Sequence, residues 1–201
     1  MKNFYISDLH FNCNNRFEGR TLEHDKMIID NWNRVVTNGD KVFILGDIGK
    51  VGGNEENEYL CKCISVLKGQ KICVLGNHDK GLKDARLRQL FTEVCDYKEI
   101  IDSFDGVSHK VIMSHYPILF YNQQHKGAIH LYGHVHASEE WDVFKKCLSY
   151  ANEYFKDKTM KGRTDCPPSK AYNVGAMLDY ISYQPRTLKE ILENGSDINE
   201  V

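Results

Sequence analysis

"KICVLGNHD", residues 71–79, is a short run of mostly apolar residues that breaks at Gly76 into Asn77, His78 and Asp79. A run of this length and composition, bounded by glycine and polar residues, reads as a buried β-strand. The same grammar recurs in "NFYISDLH" (3–10), "KVFILGD" (41–47), "KVIMSHYP" (110–117) and "AIHLYGHVH" (128–136), and a sixth run is "AYNV" (171–174). Each of the first five runs ends in a polar cluster. In α/β proteins ligands bind at the C-terminal ends of strands, where the loops converge. Five of the nine histidines fall there: His10, His78, His115, His134 and His136.

Helical patterns lie between the strands. Over 22–37, Ile28, Trp32, Val35 and Val36 line one face, and Asn38-Gly39 stops the helix. Over 55–68, Leu60, Ile64 and Leu67 do the same, with Gly69 as terminator. Over 138–157, Ser138 is the N-cap, and Trp141, Phe144, Leu148, Ala151 and Phe155 form a core-packing stripe. Thr187 with Glu190 makes a capping box, and Asn194-Gly195 closes the last helix. Asp105-Gly106, between "KEIIDSF" and "VSHKVIM", signals a hairpin, so part of the sheet is antiparallel and the fold is mixed α/β.

The length of 201 residues suits one domain, 1–201, with a real core. A hydrophobic content of 41% and a charged content of 27% exclude a disordered chain. A net charge of −2 gives no electrostatic footprint for long nucleic acid. No apolar run reaches membrane-spanning length, and the N-terminus passes directly into a strand pattern without a signal peptide's apolar region. A cytoplasmic protein with reduced thiols is the expectation. The seven cysteines are odd in number and contain no CxxC pair.

The strand-end donors are Asp8, His10, Asp47, Asn77, His115, His134 and His136. Imidazole nitrogen mixed with carboxylate and amide oxygen, without thiolate, is the donor set for borderline divalent transition metals. Seven donors exceed one tetrahedral site and suit two metals if a carboxylate bridges. Asp8/His10 and His134/His136 are i, i+2 pairs, which on an extended strand project to the same side. Two divalent cations, two carboxylates and one hydroxide leave roughly one positive charge to meet a phosphate oxygen.

The ordered set DLH, GD, GNHD, SHYP and GHVH resembles the motifs of the calcineurin-like metallophosphoesterase superfamily, and the match spans residues 5–136. The "FNCNNRF" segment and the C-terminal "YNVGAMLDYISYQPRTLKEI" are similar to the small stand-alone bacterial and phage phosphoesterases. This resemblance implies two mixed β-sheets packed as a sandwich flanked by helices, in four αββα layers. It implies one metal on Asp8, His10, Asp47 and His136, and a second on Asp47, Asn77, His115 and His134. Mn²⁺ leads, with Fe²⁺, Zn²⁺ or Ni²⁺ as alternatives. A hydroxide shared by the metals would attack phosphorus, His78 would serve the leaving group, and Asp79 would orient His78 by accepting its other N–H.

Two departures stand out. Many relatives carry a second Asp shortly after Gly-Asp, whereas this chain reads Asp47-Ile48-Gly49-Lys50, with no Tyr of the purple acid phosphatase branch. Residues 137–170 also form a longer helix-plus-loop insertion than the small group usually has. There Lys156, Lys158, Lys161 and Arg163 read as a solvated loop more readily than as a basic lip. Arg16 is a candidate phosphate clamp, with a plain surface arginine as the alternative. Asn12 and Tyr116 are candidate pocket-lining residues. The expected activity is phosphodiester hydrolysis on a small phosphoester or nucleotide-like substrate. The alternatives are a phosphomonoesterase, a nuclease or nucleotide pyrophosphohydrolase, and a metal-binding scaffold without catalysis.

Overall fold

The computed structural model describes residues 1–13, 21–50, 52–158 and 166–195. Strands β1 (Asn3–Ile6), β2 (Lys41–Ile44), β3 (Gln70–Val74) and β4 (Glu93–Cys95) form one sheet in sequence order, parallel throughout. Strands β5 (Lys98–Phe104), β6 (Val107–Met113), β7 (Ile129–Tyr132) and β8 (Lys170–Asn173) form the second. This sheet is mixed: β5 and β6 are an antiparallel hairpin turned at Asp105-Gly106, and β6, β7 and β8 are parallel. Helices α1 (Leu22–Val35), α2 (Asn54–Ser65), α3 (Ala85–Arg88), α4 (Glu139–Phe155) and α5 (Leu188–Asn194) complete an α/β sandwich.

Alternation along β6 and β7 shows how the layers meet. Val111, Met113, Ile129 and Leu131 join one core with Phe4, Ile6, Val42, Ile44, Ile72 and Val74 of the first sheet. Their neighbours Ile112 and Tyr132 belong to a second core with Ala171 and with Leu148 of α4. Period-2 side chains therefore face the other sheet and α4 in turn. Ile28 and Trp32 of α1 and Leu60 and Ile64 of α2 join the first core, and the Trp32 indole N–H donates to the Lys68 carbonyl at 2.9 Å.

The helix stripes read from sequence pack as expected. Leu148 and Ala151 are buried, and Trp141 and Phe144 pack against the core that holds Leu148. The Thr187–Glu190 capping box is formed. Ser138 occupies the N-cap of α4, but its hydroxyl donates to the Val135 carbonyl at 2.6 Å and makes no capping bond. Strand β4 and helix α3 were not anticipated: three and four residues are too short to show a period. Cys61, Cys63, Cys73, Cys95 and Cys147 are free thiols, and Cys73 is fully buried in the core. Among the described residues no helix is long and apolar enough to cross a membrane.

Candidate metal centre

The loops that follow the strands keep the strands' hydrogen-bonding order. Beyond β1, the N–H groups of Asp8, His10 and Phe11 donate to the carbonyls of Gly46, Asp47 and Ile48 at 3.0, 3.0 and 2.9 Å. Ser7 donates to Val174 O and accepts from Ala176 N, both at 2.8 Å, which ties the end of β1 to the end of β8. Gly133 N donates to His115 O at 2.9 Å. Two glycines make this convergence possible. Gly46 has φ +87°, and a Cβ there would lie 2.6 Å from Gly76 N and His115 Nδ1. A Cβ on Gly133 would collide with the Ser7 hydroxyl and sit 2.5 Å from an Asp8 carboxylate oxygen.

Five of the seven sequence-predicted donors have left-handed backbones: Asp8 (φ 57°), His10 (49°), Asp47 (53°), His134 (71°) and His136 (49°). This corrects the expectation that the i, i+2 pairs ride on extended strands. Strand β1 stops at Ile6 and β7 at Tyr132, so both pairs lie in the loops beyond. Each such non-glycine conformation costs on the order of 1–3 kcal/mol and persists only where its surroundings hold it.

The seven donors converge into two adjoining groups. In the first, His10 Nε2 and His136 Nε2 are 3.3 Å apart, and Asp8 Oδ1 lies 3.4 Å from His136 Nε2 and 3.8 Å from His10 Nε2. In the second, Asn77 Oδ1 lies 2.9 Å from His115 Nε2 and 3.1 Å from His134 Nδ1. Asp47 Oδ2 stands between them, 3.9 Å from His10 Nε2 and 3.6 Å from His115 Nε2. Donor atoms of Asp8, His10 and His136, and likewise of Asp8, Asp47 and His115, lie within 4.8 Å of one another, so the Asp/His groups are able to hold a metal ion. Asp8 and Asp47 are buried, whereas Asn77 and His78 are exposed.

Burial opposes ionisation of Asp8, but the hydrogen bond and charge of His136, with His115 and His10 behind it, hold its carboxyl below the ordinary carboxylate value. Burial, with the neighbouring His115, lowers the pKa of His134 and favours its neutral, ligating form. His115 Nδ1 donates to Leu45 O at 2.7 Å, which fixes the tautomer and turns the Nε2 lone pair toward Asn77 and Asp47.

Asp79 has a different task from the one expected. Its carboxylate accepts from the backbone N–H groups of Gly76 (2.7 Å), Asp47 (2.9 Å) and Ile48 (2.9 Å). Among the described residues no hydrogen bond joins it to the His78 ring. It anchors the Asp47 loop, and burial raises its pKa against those three bonds. His78 touches Asp47 through its own backbone, donating N–H to Oδ1 at 2.9 Å, while its ring lies 6.1 Å from that of His10.

Of the weaker candidates, Arg16 lies outside the described residues, as do Lys161 and Arg163. The Asn12 N–H donates to Asp25 Oδ2 at 2.9 Å. Tyr116 packs edge-on against His115 and His134, with ring centroids 5.2 and 4.4 Å away. His130 is fully buried and satisfied, and His125 packs against Phe155. Lys156 pairs with Glu153, and Lys158 sits over the Tyr154 ring. Ser7 and Asn173 escaped the sequence reading. The Ser7 hydroxyl donates to the same Leu45 carbonyl at 2.6 Å. Asn173 donates to His136 O at 2.9 Å and accepts from Gly175 N at 3.0 Å. Asn173 ends β8 just before Val174-Gly175, the strand-end signal that marked the other five loops.

No protein-family model matches the chain. The Gene 66 protein of Mycobacterium phage D29 is 30% identical over 156 residues, 67% of this chain and 78% of that one. The chain belongs to the family of that phage protein. An uncharacterized protein of Methanocaldococcus jannaschii is also 30% identical, over 68% of this chain and 70% of its own. Among solved structures, a protein of unknown function from Aquifex aeolicus superposes with a TM-score of 0.66 and 25% identity, covering 96% of this chain and 98% of that one. An archaeal phosphodiesterase aligns with a TM-score of 0.41 and 19% identity, over 68% of this chain and 74% of its own.

Proposed function

We propose that this chain is a metal-dependent phosphoesterase of the calcineurin-like type, hydrolysing phosphodiester bonds at a pair of divalent ions. One observation carries the reading. The buried carboxylates of Asp8 and Asp47 lie within 4.8 Å of each other, and among the described residues only histidines pair with them. Adjacent buried carboxylates repel one another, and a bound cation between them offsets that repulsion. The surrounding imidazole and amide donors suit Mn²⁺, Fe²⁺, Zn²⁺ or Ni²⁺.

Asp8, His10 and His136 would hold one ion, Asn77, His115 and His134 the other, and Asp47 would serve both. Two such ions, when bound, would supply Lewis acidity toward a phosphoryl oxygen and a more acidic water. The chain's own residues do the rest. Leu45 O fixes His115 in its ligating tautomer, Asp79 holds the Asp47 loop, and the exposed His78 ring at the rim is free to donate a proton to the leaving oxygen. Exposure of Asn77, His78 and Tyr116 leaves room for both substituents of a diester.

The test compares bis(p-nitrophenyl) phosphate with p-nitrophenyl phosphate in the presence of Mn²⁺. Faster diester turnover is expected, lost on chelation and in Asp47→Asn. His78→Ala should lower kcat by about 10²–10⁴-fold. Faster monoester turnover would replace the diesterase reading, and metal binding without turnover of either ester would leave a binding scaffold.

A further inference from the structure

Beside the second donor group lies a cavity of about 430 Å³ whose lining includes Asn77 and Tyr116. Leu75, Leu82 and Val94 contribute apolar wall. Its charge comes from Lys80 and Lys83, in the 3₁₀ turn Asp79–Lys83 that follows the GNHD motif, and from Arg88 at the end of α3. All three are exposed, and among the described residues none of their side chains makes a hydrogen bond or ion pair. Nearby Arg86, by contrast, pairs with Asp84, and Lys98 with Glu93. The opposing charges in the cavity are Asp96 and Asp79, and the Asp79 oxygens are spent on backbone N–H groups. Three cations against two carboxylates, one of them buried and held by backbone N–H groups, leave the concave site net positive and suited to a phosphate anion.

We infer that this cavity takes a second phosphate of the substrate, carried on the part of the molecule away from the reacting phosphorus, with the exposed Tyr116 ring against the intervening group. That the ligand is a substrate rests on the phosphoesterase reading, while the anion site itself does not. The ligand class is a phosphoester with an additional phosphate, such as a phosphorylated nucleoside ester. Near-neutral overall charge fits this scale of ligand, since the cations are local and too few to track a long polyanion.

Thymidine 3′,5′-bisphosphate is titrated calorimetrically into chelator-treated protein at low salt. Wild type should bind it at least tenfold more tightly than a Lys80→Gln/Lys83→Gln/Arg88→Gln variant, and a Lys80→Arg/Lys83→Arg/Arg88→Lys variant should retain the affinity. In parallel, the p-nitrophenyl ester of thymidine 5′-phosphate is compared with its 3′-phosphorylated form in Mn²⁺. The extra phosphate should lower KM in wild type, and the ratio should fall to about one in the neutralised variant. Equal affinity of wild type and the neutralised variant for the bisphosphate overturns the inference, whatever the turnover. A persistent affinity difference with no turnover of either ester keeps the anion site and removes the phosphoesterase reading.

Discussion

Asp79 shows how one side chain organises a site without facing it. Three backbone N–H groups, from Gly76, Asp47 and Ile48, converge on its two oxygens. Asp79→Asn keeps one acceptor oxygen and turns an amide N–H₂ toward donors, so at least one buried N–H loses its partner. The expected cost is about 1–3 kcal/mol in urea unfolding, together with weaker Mn²⁺ binding in a direct titration, because Asp47 is no longer held. An unchanged Mn²⁺ affinity would mean that the Asp47 loop holds itself. None of this was legible in "GNHD". The motif announces polar atoms at a strand end, but whether an Asp points at a substrate or at its neighbours' backbone depends on residues thirty positions away.

At the scale of elements, the strands and their polar ends were readable because each buried run is short and stops abruptly. The hairpin at Asp105-Gly106 and the capping box at Thr187 were readable because their chemistry is local. The conformation of the donor loops was not readable. Asp and His are enriched at positive φ but adopt it far less often than glycine, so the i, i+2 pairs at 8/10 and 134/136 looked strand-like and are instead left-handed. Helix α4 lies in the stretch read as an insertion, and it is structural cover for the second sheet. Leu148 is fully buried against Ile112, Tyr132 and Ala171. Leu148→Ala should cost about 2–5 kcal/mol, seen as a lower urea midpoint at unchanged slope. A cost below about 0.5 kcal/mol would show that α4 packs loosely.

For the whole molecule, His130 links the second core to pH. It is fully buried, its Nδ1 donates to Ile112 O at 3.2 Å, and its Nε2 accepts from Ile118 N–H at 3.0 Å. Burial first, against the backbone contacts of Ile112 and Tyr116, lowers its pKa to about 4. Because the native state favours the neutral ring, His130's contribution is full above pH about 6.5 and is lost as pH falls toward 4, by about 1.4 kcal/mol per unit and about 3 kcal/mol in all. A pH series of urea melts should therefore fall more steeply between pH 6.5 and 4 for wild type than for His130→Gln, which can still donate and accept. Parallel slopes would assign the acid sensitivity elsewhere. At the same scale, Ser7 takes part in backbone bonding on both sides of the sandwich, since its own N–H and C=O are claimed by Val174 and Ala176 while the residues after it pair with the 46–48 loop. The donor loops are thus seams of the fold. In hydrogen–deuterium exchange the amides of Ser7, Asp8, His10 and Phe11 should report the global opening reaction, slow as β-sheet interior amides, so that the centre has no private way of coming apart: it is lost when the protein unfolds, and not before.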